Sequence, residues 1–135
     1  MSDIQLYLVE ADKDKDEARR LAARSAQALA SGHLNLVSLI ENAGEYINHD
    51  DSSLRVKSLA YLADVLDQVA PNVLKGQQRS LLCAFILTRV THDNEGTGHC
   101  ARALIALEKL GKWDQETAAT IANTCVLGLA SSIAI

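Results

Sequence analysis

Acidic residues crowd one short stretch, Asp12-Lys13-Asp14-Lys15-Asp16-Glu17, in the alternation that opens a calcium loop. Such loops converge several oxygens on one cation, and they need Gly at the sixth position and Glu at the twelfth. Glu17 and Ala23 stand there instead, so the stretch reads as a solvated helix face. His92, His99 and Cys100 bear metal-ligating atoms, but zinc sites draw on tightly spaced pairs, and the chain has no CxxC or HxxxH. Glu95-Gly96-Thr97-Gly98 is a glycine-bearing loop before a helix, where an anion can be held. It lacks the Gly-Lys-Ser/Thr of a phosphate loop and follows a helix rather than a strand, so it reads as an inter-helix turn. Ser31, Ser80 and Cys83 lack a Gly-x-Ser-x-Gly setting and a recognisable base. Trp113, just after Gly111-Lys112 at the entry to a helix, reads as a packing plug between repeats. No catalytic, cofactor-binding or metal residue is assigned, and the chain is not expected to be an enzyme.

What remains is the framework. Apolar residues form 48% of the 135, enough for a core, while aromatics are only 4%. The core must therefore come from Leu, Ala, Ile and Val, a bias toward close helix packing because Ala and Leu favour helices over strands. A single proline, Pro71, agrees with that. The net charge of −4, with both signs interspersed, leaves no basic face for nucleic acid. The odd cysteine count (Cys83, Cys100 and Cys125, in apolar helical sequence) and the lack of a signal peptide point to reduced, buried thiols inside the cell. No apolar run approaches the roughly 20 residues that span a bilayer, so a soluble protein is expected.

Helix signals recur along the chain. Ser2 can cap a first helix, Ile4 to Ala30, whose solvated middle, ADKDKDEARR, bends or loosens it; Asp16 and Arg20 are spaced to pair. Ser31-Gly32 ends that helix. A second, from about Leu34 to Asn48, places Leu36, Val37, Ile40, Ala43, Gly44 and Ile47 on one face. After His49-Asp50-Asp51-Ser52-Ser53, with Asp51 or Ser52 as cap, a third runs to about Val69 and buries Val56, Leu59, Ala60, Leu62, Ala63 and Leu66, until Pro71-Asn72 stops it. A fourth, from Gln77 to Thr91, turns Leu81, Leu82, Phe85, Ile86 and Val90 inward. A fifth follows the polar break at 92–98 and closes at Gly111. Asp114 caps a sixth that carries Ala118, Ile121, Ala122, Cys125, Val126 and Leu129.

The helix starts repeat at an offset of about 43 to 44 residues: Leu34 with Gln77, Ser53 with Thr97. HEAT and armadillo repeats have periods of roughly 40–47. A shift of 44 superposes Val56 on Cys100, Ala60 on Leu104, Ala63 on Leu107 and Leu66 on Leu110. The expected fold is therefore all-α: an incomplete α-solenoid of antiparallel helix pairs, HEAT/armadillo-like. Residues 1–32 would form an N-terminal capping helix region, 33–130 about two pairs plus one helix, and 131–135 a tail. Such stacks need at least three repeats and end caps, so the chain reads as an incomplete solenoid, either truncated or continuing in a longer parent.

Three stretches resemble one family. SGHLNLVSLIENAGEYI, at 31–47, matches its opening and ends in a Gly-Glu-Tyr-Leu-like motif, here Gly44-Glu45-Tyr46-Ile47. DDSSLRVKSLAYLADVL resembles an acidic turn followed by Arg-x-Lys and Leu-x-x-Val-Leu, through Asp51, Arg55, Lys57, Leu59, Leu62, Val65 and Leu66. FILTRVTHD resembles Phe-x-x-x-Arg-Leu-x-Asp, through Phe85, Arg89, Val90 and Asp93, and the helix ALIALEKL follows. The family is the MMS-nineteen (yeast Met-eighteen) group of nucleotide excision repair and transcription proteins, large HEAT-repeat subunits of the cytosolic iron–sulfur assembly targeting complex. The resemblance covers about residues 31–110. It implies an adaptor of nucleus and cytoplasm that brings assembly factors to client apo-proteins, among them polymerases and the helicases of TFIIH. The three cysteines, set singly on separate helices, agree with an adaptor that carries no cofactor of its own, and no direct nucleic-acid or membrane contact is expected. Arg55 and Lys57 are candidates for bridging repeats or contacting partners. A generic HEAT/armadillo scaffold unrelated to iron–sulfur assembly is the first alternative, and a metal-dependent enzyme with a helical fold the second.

Overall fold

The computed structural model describes residues 2–92, 94–111 and 117–123, all in helices and the turns between them. Six α-helices follow in order: α1 (Asp3–Glu10), α2 (Lys15–Ser31), α3 (Leu36–Ile47), α4 (Ser52–Gln68), α5 (Gly76–His92) and α6 (Thr97–Leu110), with a 3-10 turn, Asn94–Gly96, before α6. Residues 117–123 are helical again. Trp113, Asp114, Cys125, Val126, Leu129 and the 131–135 tail lie outside the described residues.

Local chemistry sets most boundaries. Ser2 and Gln5 form a reciprocal capping box at the start of α1. Gly32, with φ of +81°, closes α2 in the left-handed conformation that glycine adopts without a Cβ clash. Asn35 caps α3 through Ser38 N–H, and Asp51, rather than Ser52, caps α4 through Ser53 N–H. The long first helix expected over Ile4–Ala30 is two helices. The Asp14 carboxylate accepts from both Asp16 N–H and Glu17 N–H, an N-cap that requires extended backbone and so breaks the helix. Lysine and aspartate in the interrupted turn are solvated, and nothing apolar is lost by exposing it.

Tertiary order follows from short connections. Each of α1/α2, α3/α4 and α5/α6 is joined by a turn of a few residues, which folds the second helix back on the first. The second helices form a continuous layer: α4 lies between α2 and α6 and packs against both, and it touches α1 and α3 as well. This all-helical stack of antiparallel pairs is the architecture of an incomplete helical solenoid. The offset of 44 maps buried residues onto buried ones: Leu39 on Cys83, Ala43 on Leu87, Leu59 on Ala103, Leu62 on Ala106 and Ala63 on Leu107.

Several inward assignments change. Val37 and Leu81, themselves 44 apart, are 56% and 51% exposed, whereas Leu39 and Cys83 fill the interior. Both lie on the first helix of a pair, and both turn outward. Val56 and Ala60 are only partly buried, while Ser58, Tyr61 and Val65 are fully covered. Cys100 is buried at the core-like position expected of it. Gly96 is buried against α4: a Cβ there would clash with Leu59 Cδ1. The glycine of the Glu95-Gly96-Thr97-Gly98 loop thus serves close approach of the turn to a leucine.

Candidate functional site

Polar groups gather where α1, α2, α4 and α6 meet. Tyr7, buried on α1, donates its hydroxyl hydrogen to Asp64 Oδ2 on α4 at 2.5 Å. Arg102 on α6 donates to the other oxygen of that carboxylate, Oδ1, at 3.0 Å, and its second terminal nitrogen lies 3.0 Å from His99 Nδ1. The ring of Tyr7 meets that of Tyr61 edge-on, centroids 5.2 Å apart. The Tyr61 hydroxyl lies 2.7 Å from the buried Ser25 hydroxyl on α2. The Gln68 amide donates to the Arg19 and Asp64 carbonyls. One polar chain thus runs through four helices of the stack.

The electrostatics follow from burial. Burial and the hydrogen bond to the Asp64 carboxylate push the Tyr7 phenol well above its ordinary value of 10.0, so it stays a donor. Burial raises Tyr61 too, with the Ser25 hydrogen bond acting the other way. His99 is pulled below 6.5, chiefly by burial and then by Arg102, against the opposing pull of Asp64. Burial thus favours the neutral imidazole over the charged one.

Beside this network opens a cleft of about 400 Å³. Its apolar floor is Ala11, Ala18, Val56 and Ala60; Tyr7, Asp64, His99 and Arg102 line it together with Asp12, Lys15, Arg19 and Lys57. Lys57 Nζ reaches Asp12 Oδ2 at 2.6 Å, bridging α4 to the turn of the first pair. Arg55 instead donates to the carbonyls of His49 and Asp50, within its own pair. Arg89 links pairs through Asn48 Oδ1, at 3.0 Å.

The remaining candidate groups are scattered. In the acidic stretch, Asp12 holds Lys57, Asp14 caps α2, and Glu17 pairs with Arg20; the expected Asp16–Arg20 pair gives way to this closer one. His99 faces the cleft while Cys100 faces the core; the side chain of His92 lies outside the described residues. Among the described residues no three His, Cys, Asp or Glu side chains are grouped to hold a metal. Ser31 does meet a base, His33 Nδ1 at 2.7 Å, but both are exposed on the surface. Tyr7, Tyr61, Asp64 and Arg102 were not singled out from sequence; the available signal was two tyrosines and an aspartate set among leucines.

The family model described as Dos2-interacting transcription regulator of RNA-Pol-II matches residues 40–132. The chain belongs to this family. A curated relative, the DNA repair/transcription protein mms19 of Schizosaccharomyces pombe, is 29% identical over 94 residues, covering 70% of this chain and 9% of the relative. The chain thus spans a small fraction of that relative's length. No solved structure matches it. The region matched to the Dos2-interacting regulator family begins within α3 and takes in α4 to α6. The cleft straddles its edge: Tyr7, Asp12, Lys15 and Arg19 precede it, and Lys57, Asp64, His99 and Arg102 lie inside. Among the described residues no helix is long and apolar enough to cross a membrane.

Proposed function

We propose that this chain is a non-enzymatic interaction module, part of an adaptor that joins iron–sulfur assembly factors to apo-proteins of DNA repair, replication and transcription. The observation that supports it most is the pairing of family membership with a stack whose polar side chains join helices to one another. Asp64 spends both carboxylate oxygens on Tyr7 and Arg102, and Lys57 holds Asp12. Such bonds stiffen a repeat array, and a stiff array presents an extended surface to partners. The family description names an interaction with Dos2 and a role in transcription, and the relative is a repair and transcription protein. Nuclear and cytoplasmic residence follows from that reading. The divisions at about residues 32 and 130 belong to it also.

Affinity capture on the tagged full-length parent tests it. Recovery of iron–sulfur assembly factors and cluster-bearing repair enzymes is the expected result. Recovery of transport receptors without either would sink it in favour of a generic scaffold.

A further inference from the structure

The cleft is unusual for this chain in its charge. Four cationic side chains line it, Lys15, Arg19, Lys57 and Arg102, against two carboxylates, Asp12 and Asp64. The excess among the lining residues is positive, although Asp67, just outside the cleft, lies 3.9 Å from Arg19; the whole chain carries −4. Asp64 is committed to Tyr7 and Arg102 inside the fold. Asp12, by contrast, sits on the turn with its side chain 73% exposed, holding a Lys57 that is only 22% exposed. Lys15 and Arg19 are one helical turn apart on α2, so both project from the same face toward the opening.

We propose that this cleft docks an acidic segment of a partner protein, its carboxylates engaging Lys15, Arg19 and Arg102 and replacing Asp12 at Lys57. Complementary charge sets which partner is accepted and how fast it arrives. The volume suits a few side chains of an extended peptide, and the apolar floor takes their stems. A nucleic acid fits less well. Asp64 is held among the cations by Tyr7 and Arg102, and a continuous row of phosphates would have to pass it. Separate Asp or Glu side chains can settle between.

The inference rests on the protein-binding reading above and specifies the partner's chemistry. Its test uses the whole 135-residue chain and fluorescence anisotropy with labelled octapeptides, one of alternating Glu and Ser, one of Gln and Ser, and a single-stranded oligothymidylate as a third probe. The glutamate peptide should bind, and binding should weaken as salt rises. The double variant Lys15→Glu, Arg19→Gln, with unchanged circular dichroism, should weaken it by about tenfold or more. Asp12→Asn, which releases Lys57, should tighten it by several-fold. Equal binding of the two peptides, tighter binding of the oligonucleotide, or no change in the double variant overturns the proposal. A parent protein that captures its assembly partners while this chain ignores the glutamate peptide keeps the adaptor reading and refutes the cleft.

Discussion

Tyr7 and Asp64 stand 57 residues apart in the chain, yet the phenol donates to the carboxylate at 2.5 Å. Arg102 occupies the other oxygen, so a single side chain on α4 ties the first helix to the sixth. The bond is charge-assisted and well shielded, since Tyr7 is 3% exposed, which makes it stronger than a surface contact.

Removing either end should therefore be felt unequally. Tyr7→Phe keeps the ring against Tyr61 and should cost about 1.5–3 kcal/mol, the range for a hydrogen bond to a charged group. Asp64→Ala should cost more, because it strands the buried phenol and removes the anion beside Arg102. Urea unfolding of the two variants checks the order, and a smaller loss for Asp64→Ala would contradict it.

Gly96 supports a different contact. A methyl group there would press on Leu59 Cδ1, and Leu59, 2% exposed, would have to shift within a packed core. Gly96→Ala should lose about 1–3 kcal/mol by overpacking. Adding Leu59→Ala should make the Gly96→Ala step nearly neutral, and a double-mutant cycle reads that coupling. Additive losses would show that the turn does not rest on Leu59.

Acid should weaken the fold through His99. Its folded-state value lies below the ordinary 6.5, so the unfolded chain binds the proton more readily. The stability this group contributes is fully present above 6.5 and is lost as pH falls through that value toward the lower folded one. The groups facing it are Arg102, which opposes protonation, and Asp64, which favours it. Thermal melts from about pH 7.5 down to 5.5 should show a falling midpoint. His99→Gln should flatten the decline, and an unchanged slope would exclude this histidine as its source.

The break between α1 and α2 rests on Asp14. Asp14→Ala should cost about 1 kcal/mol by removing the acceptor for two N–H groups. Asp14→Ser should recover much of it. Amide hydrogen exchange at Asp16 and Glu17 is the direct readout, with faster exchange expected in the alanine variant. Equal protection in all three proteins would mean that the cap does not define the break.

How much of this was legible beforehand depended on the range of each interaction. The helical class, the stop at Gly32, a cap at Asp51 or Ser52 and the offset of about 44 come from local rules: left-handed glycine, side-chain capping, and the 3.6-residue period. Those rules act over a few residues, so a linear sequence contains them whole. The family resemblance likewise lay in local motifs, and the match over 40–132 agrees with it.

The burial pattern of α4 was beyond such rules. Four other helices surround it, so Ser58, Leu59, Tyr61, Leu62, Ala63, Val65 and Leu66 are all covered and no single stripe describes it. A one-face reading therefore chose Val56 and Ala60 and passed over Ser58, Tyr61 and Val65. It also turned Val37 and Leu81 inward, although no neighbouring helix covers that side of α3 or α5 among the described residues. The cleft has the same origin. Tyr7, Lys57, Asp64 and Arg102 carry ordinary signals one at a time, and only the packing of α1, α4 and α6 sets them side by side. The sequence by itself determined that the chain is made of capped helices with a repeating period. The tertiary structure decided which polar groups face one another, because charge and hydrogen bonding depend on distance in space rather than distance along the chain.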